Sequence, residues 1–249
     1  MSRTPDLTPF VGRGFAPEID RIIANTPVRG IDRLLSCGKI RLAAETEEYL
    51  YSEYTPTRVR CRTGSRPRLE AIAAEVLGDP PRTDRAAVRK LVSWVPANVR
   101  HAAGADPAPP DRALPEEDII ASGWGWCNEQ ARVLAALAQT AGMPGRLVGI
   151  YSVDPPRGHM STELYVESKW SWACPTHGCV VTLPDGTWAS AAEIWKGPAV
   201  RALFAVEWER AVNAWNKEYG EPPLEGDPAA RFDRAGIVNY FISSYGGTA

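Results

Sequence analysis

The chain has 249 residues, of which 44% are apolar and 23% are charged, which is typical of a globular protein with a full-sized core. Its formal net charge of −2 gives no field that would recruit nucleic acid or an anionic membrane. No apolar run reaches the length of a membrane span, and residues 1–10 lack a signal-peptide hydrophobic region. We therefore expect a cytoplasmic protein without nucleic-acid or membrane partners, and the composition leaves the oligomeric state open.

Residues 1–66 mix short apolar runs with charged positions and predict an N-terminal extension that packs on a core domain at 67–249. Within this extension, residues 16–27 predict a short helix, and residues 41–62 predict a helix followed by a strand.

Two amphipathic helices are predicted next, at residues 67–78 and 82–101. Gly78 closes the first, Asp84 lies near the start of the second, and Pro96 is expected to disturb the end of the second. Residues 102–118 are rich in Ala and Pro and predict a loop.

Residues 128–141 have the clearest helical period in the chain, and Gly142 stops the helix. The period then changes to two and predicts short strands at 146–153, 162–169, 170–174, 178–184 and 186–191, with a hairpin turn at 184–186. A helix at 199–220 follows, and residues 228–247 predict either a strand on the core or a cover over the cleft. Helices followed by an antiparallel sheet indicate an α+β fold.

Five cysteines are scattered along the chain, at Cys37, Cys61, Cys127, Cys174 and Cys179. Their odd number and irregular spacing argue against a disulfide framework. Cys127 comes directly before the helix at 128–141, where the positive end of the helix dipole favours an anion such as a thiolate. This position suits a nucleophile and a small buried residue equally well.

The chain has three histidines, at positions 101, 159 and 177. His159 begins a predicted strand downstream of Cys127. A helix start carrying a thiol, packed against a strand carrying an imidazole, is the geometry of a catalytic Cys-His pair. His101 follows a helix without an identified partner, so it is interpreted as a solvated histidine.

The joint spacing of several motifs over about residues 84–195 resembles the transglutaminase-like superfamily of papain-related folds. The motifs that carry the resemblance are Gly125-Trp126-Cys127, the turn Gly142–Arg146, and His159, Glu163, Tyr165, Trp170 and Pro175-Thr176. The resemblance implies a papain-like α+β core without a cofactor, with Cys127 as nucleophile and His159 as general base and then acid. The implied substrate is a small-molecule or peptide amide or thioester, and the acyl group passes through a thioester to an amine or to water.

The sequence departs from the family where the third catalytic residue, an aspartate, falls on Cys174. The aspartate would accept the imidazole Nδ1–H, and a thiol is a weak acceptor. Three alternatives remain: Cys174 takes part in changed chemistry, which we favour, Glu163 orients His159, or catalysis is lost. Glu163 shares a strand face with His159, but at four residues' distance direct contact would need a bend. The family also usually has an aromatic residue two positions after the histidine, where this chain has Ser161.

The resemblance also suggests that an indole N–H of Trp124 or Trp126 stabilises the oxyanion, although packing over the helix start explains both residues equally well. The backbone N–H of Cys127 is expected to be another oxyanion donor. Arg146 is expected to bind a carboxylate or carbonyl within the fold rather than a substrate.

A second constellation is the run Cys174, His177 and Cys179, with Cys127 and His159 predicted nearby. Cysteine and histidine suit zinc, iron or copper, but C-x-x-H-x-C is not a common zinc spacing, so no metal ligands are assigned. The competing functions are therefore a non-catalytic ligand-binding module and a Cys/His metal-dependent site.

Overall fold

The computed structural model describes residues 11–12, 39–104, 114–153, 156–226 and 238–243. The helix predicted at 16–27 lies outside the described residues. The helices are Ala44–Leu50 (α1), Thr55–Arg58 (α2), Pro67–Leu77 (α3), Arg85–Asn98 (α4), Glu116–Ser122 (α5), Cys127–Thr140 (α6), Ala191–Lys196 (α7) and Pro198–Tyr219 (α8). The strands are Val11–Gly12 (β1), Lys39–Arg41 (β2), Arg100–His101 (β3), Trp124–Gly125 (β4), Gly145–Val153 (β5), Pro156–Val166 (β6), Lys169–Cys174 (β7), Cys179–Val180 (β8) and Val238–Ser243 (β9).

Seven strands form one antiparallel sheet, in the order β1-β2-β9-β5-β6-β7-β8. The strand β9, from the C-terminal region, pairs with β2 on one side and β5 on the other, which confirms the strand alternative for this region. The helices and this sheet make an α+β fold, as the sequence predicts.

Helix α6 lies at the centre of the core, and residues 129–139 within it are all buried. On one side it contacts α3, α4 and α5, and on the other it contacts β5 and β6. Its alanines permit this close approach on both sides, while Val133, Leu134 and Leu137 fill the helical layer. The element that carries Cys127 is therefore rigidly held.

Local sequence signals account for most helix ends. The Asp84 carboxylate accepts the backbone N–H of Ala87 at 2.9 Å and caps α4, and Gly220 ends α8 in the left-handed conformation. Pro96 lies inside α4, which continues to Asn98, since a proline so near the C-terminal end removes little of the hydrogen-bond ladder. Among the described residues, no helix is both long and apolar enough to cross a membrane.

Three local predictions are wrong. The strand expected after α1 is replaced by the short helix α2, and the expected loop at 102–118 contains the start of α5. The strand expected at 186–191 is a single bridge between Thr182 and Trp188, followed by α7. In each case the segment is too short for periodicity alone to distinguish the alternatives.

The described part of the predicted N-terminal extension contributes to the core. Strand β2 belongs to the main sheet, Leu50 is fully buried, and the backbone carbonyl of Val59 accepts the N–H of Gly145 at 3.0 Å. The domain boundary at residue 66 remains a prediction.

Candidate active site

Cys127 is the first residue of α6, preceded by Trp126 in an extended conformation. The Glu129 carboxylate accepts the backbone N–H of Trp126 at 3.0 Å, which fixes the entry of the chain into the helix. Gly125 is required just before this point, because a Cβ there would lie 2.7 Å from the Cβ of Glu129. The sequence Gly-Trp-Cys-Asn-Glu thus places a half-buried thiol at the positive end of a 14-residue helix.

The thiol of Cys127 faces the sheet. It packs against a small apolar cluster of Ala131, Ala135, Leu147 and Met160, from α6, β5 and β6. Met160 directly follows His159 on β6, so the helix start lies beside the strand that carries the imidazole.

The imidazole of His159 contacts Cys174, with 3.2 Å between Nε2 and the sulfur. The residue at the family's aspartate position, Cys174, is thus in contact with His159. The nitrogen involved is Nε2, whereas Nδ1 was expected from the sequence. Nδ1 is left on the other side of the ring.

Burial keeps this pair neutral near pH 7. Burial and the neighbouring His177 and His101 hold the pKa of His159 well below its usual value. Burial, together with a hydrogen bond to Cys179, raises the pKa of the Cys174 thiol well above its usual value. A negative charge on Cys127 would raise the pKa of Cys174 further.

His101 is buried, and its interpretation as a solvated histidine is wrong. Its ring packs edge-on against Trp126 at 5.4 Å and Trp215 at 5.0 Å between centroids. The cause is the parallel pairing of β3 with β4, which places His101 opposite Gly125. Burial lowers the pKa of His101, while Glu129 acts in the opposite direction.

His177 is the third histidine at this cleft. Its ring stacks on that of His159 with 5.1 Å between centroids and an interplanar angle of 22°. Burial lowers the pKa of His177 to about 4. The donor atoms of His159, Cys174 and His177 lie within 4.8 Å of one another, a set that could hold a metal ion.

Two tryptophans of α8 form an aromatic wall over the imidazoles, which the sequence analysis did not identify. Trp208 packs edge-on against His159 and His177, each at 4.8 Å between centroids. Trp215 packs against His177 at 5.8 Å. The two residues are seven apart on one helix, two turns, but nothing local indicates that they face the cleft.

Glu163 does not line the cleft and does not orient His159, which corrects both expectations. It is fully buried in an ion pair with Arg146 at 2.7 Å. One of its oxygens also accepts the hydroxyl of Tyr51 at 2.9 Å and the backbone N–H of Ala191 at 2.6 Å. The prediction that Arg146 binds a group within the fold is confirmed.

The flanking tryptophans differ in their surroundings. The ring of Trp124 lies against the guanidinium of Arg100, 5.2 Å from its carbon, whereas the ring of Trp126 contacts His101 at the cleft. Their part in oxyanion stabilisation remains a prediction. The hydroxyl of Ser161 accepts the indole N–H of Trp172 at 2.7 Å and donates to the carbonyl of Val148, so it belongs to the core.

The described residues thus place a thiol at a helix start and an imidazole on a neighbouring strand, the two groups that a catalytic cysteine and its base require. Residues 70–175 match the family model described as the transglutaminase-like superfamily. This match confirms the resemblance seen in the sequence, and the matched segment contains Cys127, His159 and Cys174.

Among solved structures, the chain is similar to a candidate cysteine protease from Cytophaga hutchinsonii, with 21% identity and a TM-score of 0.38 over 54% of this chain and 43% of that chain. It is also similar to a candidate protease from Parabacteroides distasonis, with 14% identity and a TM-score of 0.35 over 44% of this chain and 23% of that chain. The aligned region thus spans less than half the length of either protein. No curated protein matches the chain.

Proposed function

We propose that the protein is a cysteine-dependent enzyme that transfers or hydrolyses an acyl group of an amide or thioester, with Cys127 as nucleophile and His159 as general base and then acid. The observation that carries the proposal is a thiol at the start of a buried helix, beside the strand that presents the His159–Cys174 pair. The superfamily match supports cysteine-based catalysis in general.

The neutral state of His159 defines how the thiol would be activated. Since Nε2 faces Cys174, Nδ1 is the nitrogen that accepts the proton of Cys127 as its sulfur attacks the acyl carbonyl. The backbone N–H of Cys127 at the helix end donates to the developing oxyanion. The intermediate then collapses, His159 returns the proton to the leaving amine or thiol, and a thioester remains on Cys127. Water or an amine cleaves that thioester by the same steps in reverse.

Alkylation of the native protein with iodoacetamide tests the pair without knowledge of the substrate. We expect Cys127 to be modified faster than the buried Cys174 and Cys179, and His159→Ala to slow this reaction near pH 7, because the base is removed. Peptide mass spectrometry identifies the modified thiol. Cys61→Ala, which removes another half-buried thiol, is the matched control and should leave the Cys127 rate unchanged. An unchanged rate and pH profile in His159→Ala would show that the pair does not exist.

Replacing Cys174 distinguishes two roles: orienting His159, which the 3.2 Å contact with Nε2 supports, and the changed chemistry that was favoured from the sequence alone. A carboxylate is a stronger acceptor than a thiol, so Cys174→Asp is expected to maintain or raise acyl turnover. Cys174→Ala is expected to lower it, since losing an orienting group can cost up to about 10⁴-fold. The carboxylate should also raise the pKa of His159. Because the base must be neutral, the acid limb of the kcat/KM profile should move to higher pH in Cys174→Asp.

The measurement is turnover of wild type and both variants from about pH 6 to 9 on a substrate found by screening. A large loss in both variants would instead support changed chemistry in which the thiol takes part. Indistinguishable pH profiles of turnover for the three proteins would show that position 174 takes no part in the chemistry.

A further inference from the structure

We propose that His159, Cys174 and His177 form a zinc site, and that zinc bound there switches off the cysteine chemistry of Cys127. The ligand assignment stands on the geometry of these three residues. The effect on chemistry rests on the proposed function.

The three donor atoms are already close to the arrangement that zinc requires. With bond lengths of about 2.0–2.3 Å, nitrogen and sulfur ligands of one tetrahedral zinc ion lie about 3.4–3.6 Å apart. Nε2 of His159 and the sulfur of Cys174 are 3.2 Å apart, and the whole set lies within 4.8 Å. Small side-chain rotations would therefore complete the site.

The turn between β7 and β8 presents two of the ligands together. Cys174 and His177 are separated by two residues, the spacing at which paired ligands of one zinc ion commonly occur. The backbone N–H of His177 donates to the Cys174 sulfur, and the Thr176 hydroxyl donates to Gln130 Oε1 of α6 at 2.7 Å. The turn is thus held against the helix that carries Cys127.

Cys179 is close to these two residues in the linear sequence, but His159 takes its place in the donor set. Cys179 lies opposite Cys174 on β8, and among the described residues the donor set consists of His159, Cys174 and His177. The unusual spacing C-x-x-H-x-C is therefore not the ligand set. The ligands are two imidazoles and one thiolate, which suit zinc and not magnesium or calcium.

One buried polar atom of this cluster, Nδ1 of His177, has no hydrogen-bond partner among the described residues. Buried polar atoms are nearly always paired, so an unpaired imidazole nitrogen beside a thiol indicates a missing ligand. The tryptophan wall of Trp208 and Trp215 surrounds the imidazoles with the apolar shell that favours metal–ligand bonds over hydration.

Zinc would remove the base from the proposed chemistry. On binding, the Cys174 thiol gives its proton to solvent and its sulfur bonds to zinc, as do one nitrogen of His177 and Nε2 of His159. The neutral His159 ring then carries its remaining proton on Nδ1, the nitrogen that must accept the proton of Cys127. Three protein ligands leave a fourth position for water.

Zinc binding is measured directly on the full chain, first stripped with a chelator, by equilibrium dialysis and metal analysis. We expect one zinc per chain, and more than about 100-fold weaker binding in Cys174→Ala and His177→Ala, because even second-shell changes cost about 10–100-fold. Cys61→Ala is the matched thiol control and should bind zinc like wild type. Circular dichroism tests whether each variant is folded. If His177→Ala is not folded, His177→Gln replaces it, because glutamine nearly preserves the size of the side chain.

Cobalt(II) provides an independent readout of the ligands. The wild type should show thiolate-to-cobalt absorption that Cys174→Ala lacks. No zinc binding by wild type, equal affinity in wild type and both ligand variants, or cobalt bound without the thiolate band would each overturn the site.

The switch is tested by alkylation of Cys127 with and without zinc. We expect zinc to slow the reaction at least tenfold in wild type and not in His177→Ala, and an unchanged wild-type rate would overturn the switch. The two proposals fail separately: zinc binding needs no substrate, and turnover is measured on chelator-treated protein. If the protein binds zinc but is inactive on all acyl substrates, the proposed enzymatic function is refuted and the zinc site is not.

Discussion

Cys127→Ala is expected to lower acyl turnover by at least about 10⁴-fold, because removal of a covalent nucleophile leaves only binding and oxyanion stabilisation. The variant should remain folded. The thiol is half-buried at the first position of α6, and alanine is the best helix former, so the substitution removes one sulfur without disturbing the helix. The measurement is turnover of the chelator-treated protein on a substrate found by screening, with circular dichroism and the thermal midpoint as tests of folding.

Two controls make this result specific. Cys61→Ala removes a thiol elsewhere, one that donates to Gln139 Oε1 at 3.5 Å, and should keep full turnover. Cys127→Ser keeps the shape of the side chain with a much weaker nucleophile, and it should be nearly as inactive as the alanine variant. Wild-type turnover in Cys127→Ala would refute the nucleophile assignment and favour a non-catalytic binding module.

The second large effect concerns stability. Arg146→Met is expected to lower the free energy of unfolding by about 3–5 kcal/mol, because it leaves the carboxylate of Glu163 buried without its counter-charge. Both side chains are completely buried, and the guanidinium also lies over the rings of Trp170 at 3.9 Å and Tyr51 at 4.6 Å. The measurement is the urea denaturation midpoint at constant slope.

The double variant Arg146→Met/Glu163→Gln should recover much of this loss, since no unpaired charge remains. The matched control is the ion pair of Lys196 with Glu47, whose lysine is 59% exposed. Lys196→Met should cost less than about 1 kcal/mol. If Arg146→Met also lowers the free energy of unfolding by less than about 1 kcal/mol, the ion pair does not support the fold.

Alkylation of Cys127 separates the structural role of this ion pair from a catalytic one. The Arg146–Glu163 pair joins β5 to β6, and it reaches the N-terminal region through Tyr51 and α7 through the N–H of Ala191. The Arg146→Met variant, while folded, should therefore react with iodoacetamide like wild type. This is the result expected if Glu163 stabilises the fold and has no part in orienting His159.

Helices α3, α4 and α6 could be predicted from the sequence because their signals are local. An apolar stripe with the helical period, a capping Asp84 and a closing Gly78 or Gly142 act within one or two turns of chain. The position of Cys127 at a helix start follows from the same signals. The resemblance to the superfamily rests on spacing along the chain, and so it was also visible in the sequence.

The sequence could not show which polar residues meet. Glu163 and His159 share a strand face, yet Glu163 contacts Arg146 on β5 and Tyr51 from a distant segment. His101 reaches the cleft only because the two-residue strand β3 pairs with β4 beside Cys127. These contacts depend on strand register and on packing between elements far apart in sequence, and periodicity carries no information about either.

Local signals in the sequence thus predicted the α+β class, the central helix and the cysteine at the start of that helix. Packing between distant elements brings the chain's three histidines and Cys174 together beside Trp208 and Trp215, and it makes Glu163 an internal ion-pair partner. The two sets of features differ because the interactions behind them act over different distances along the chain. Helix and strand formation is governed by neighbours within a few residues, whereas the composition of the cleft is set by how β5, β6, β7 and α8 pack together.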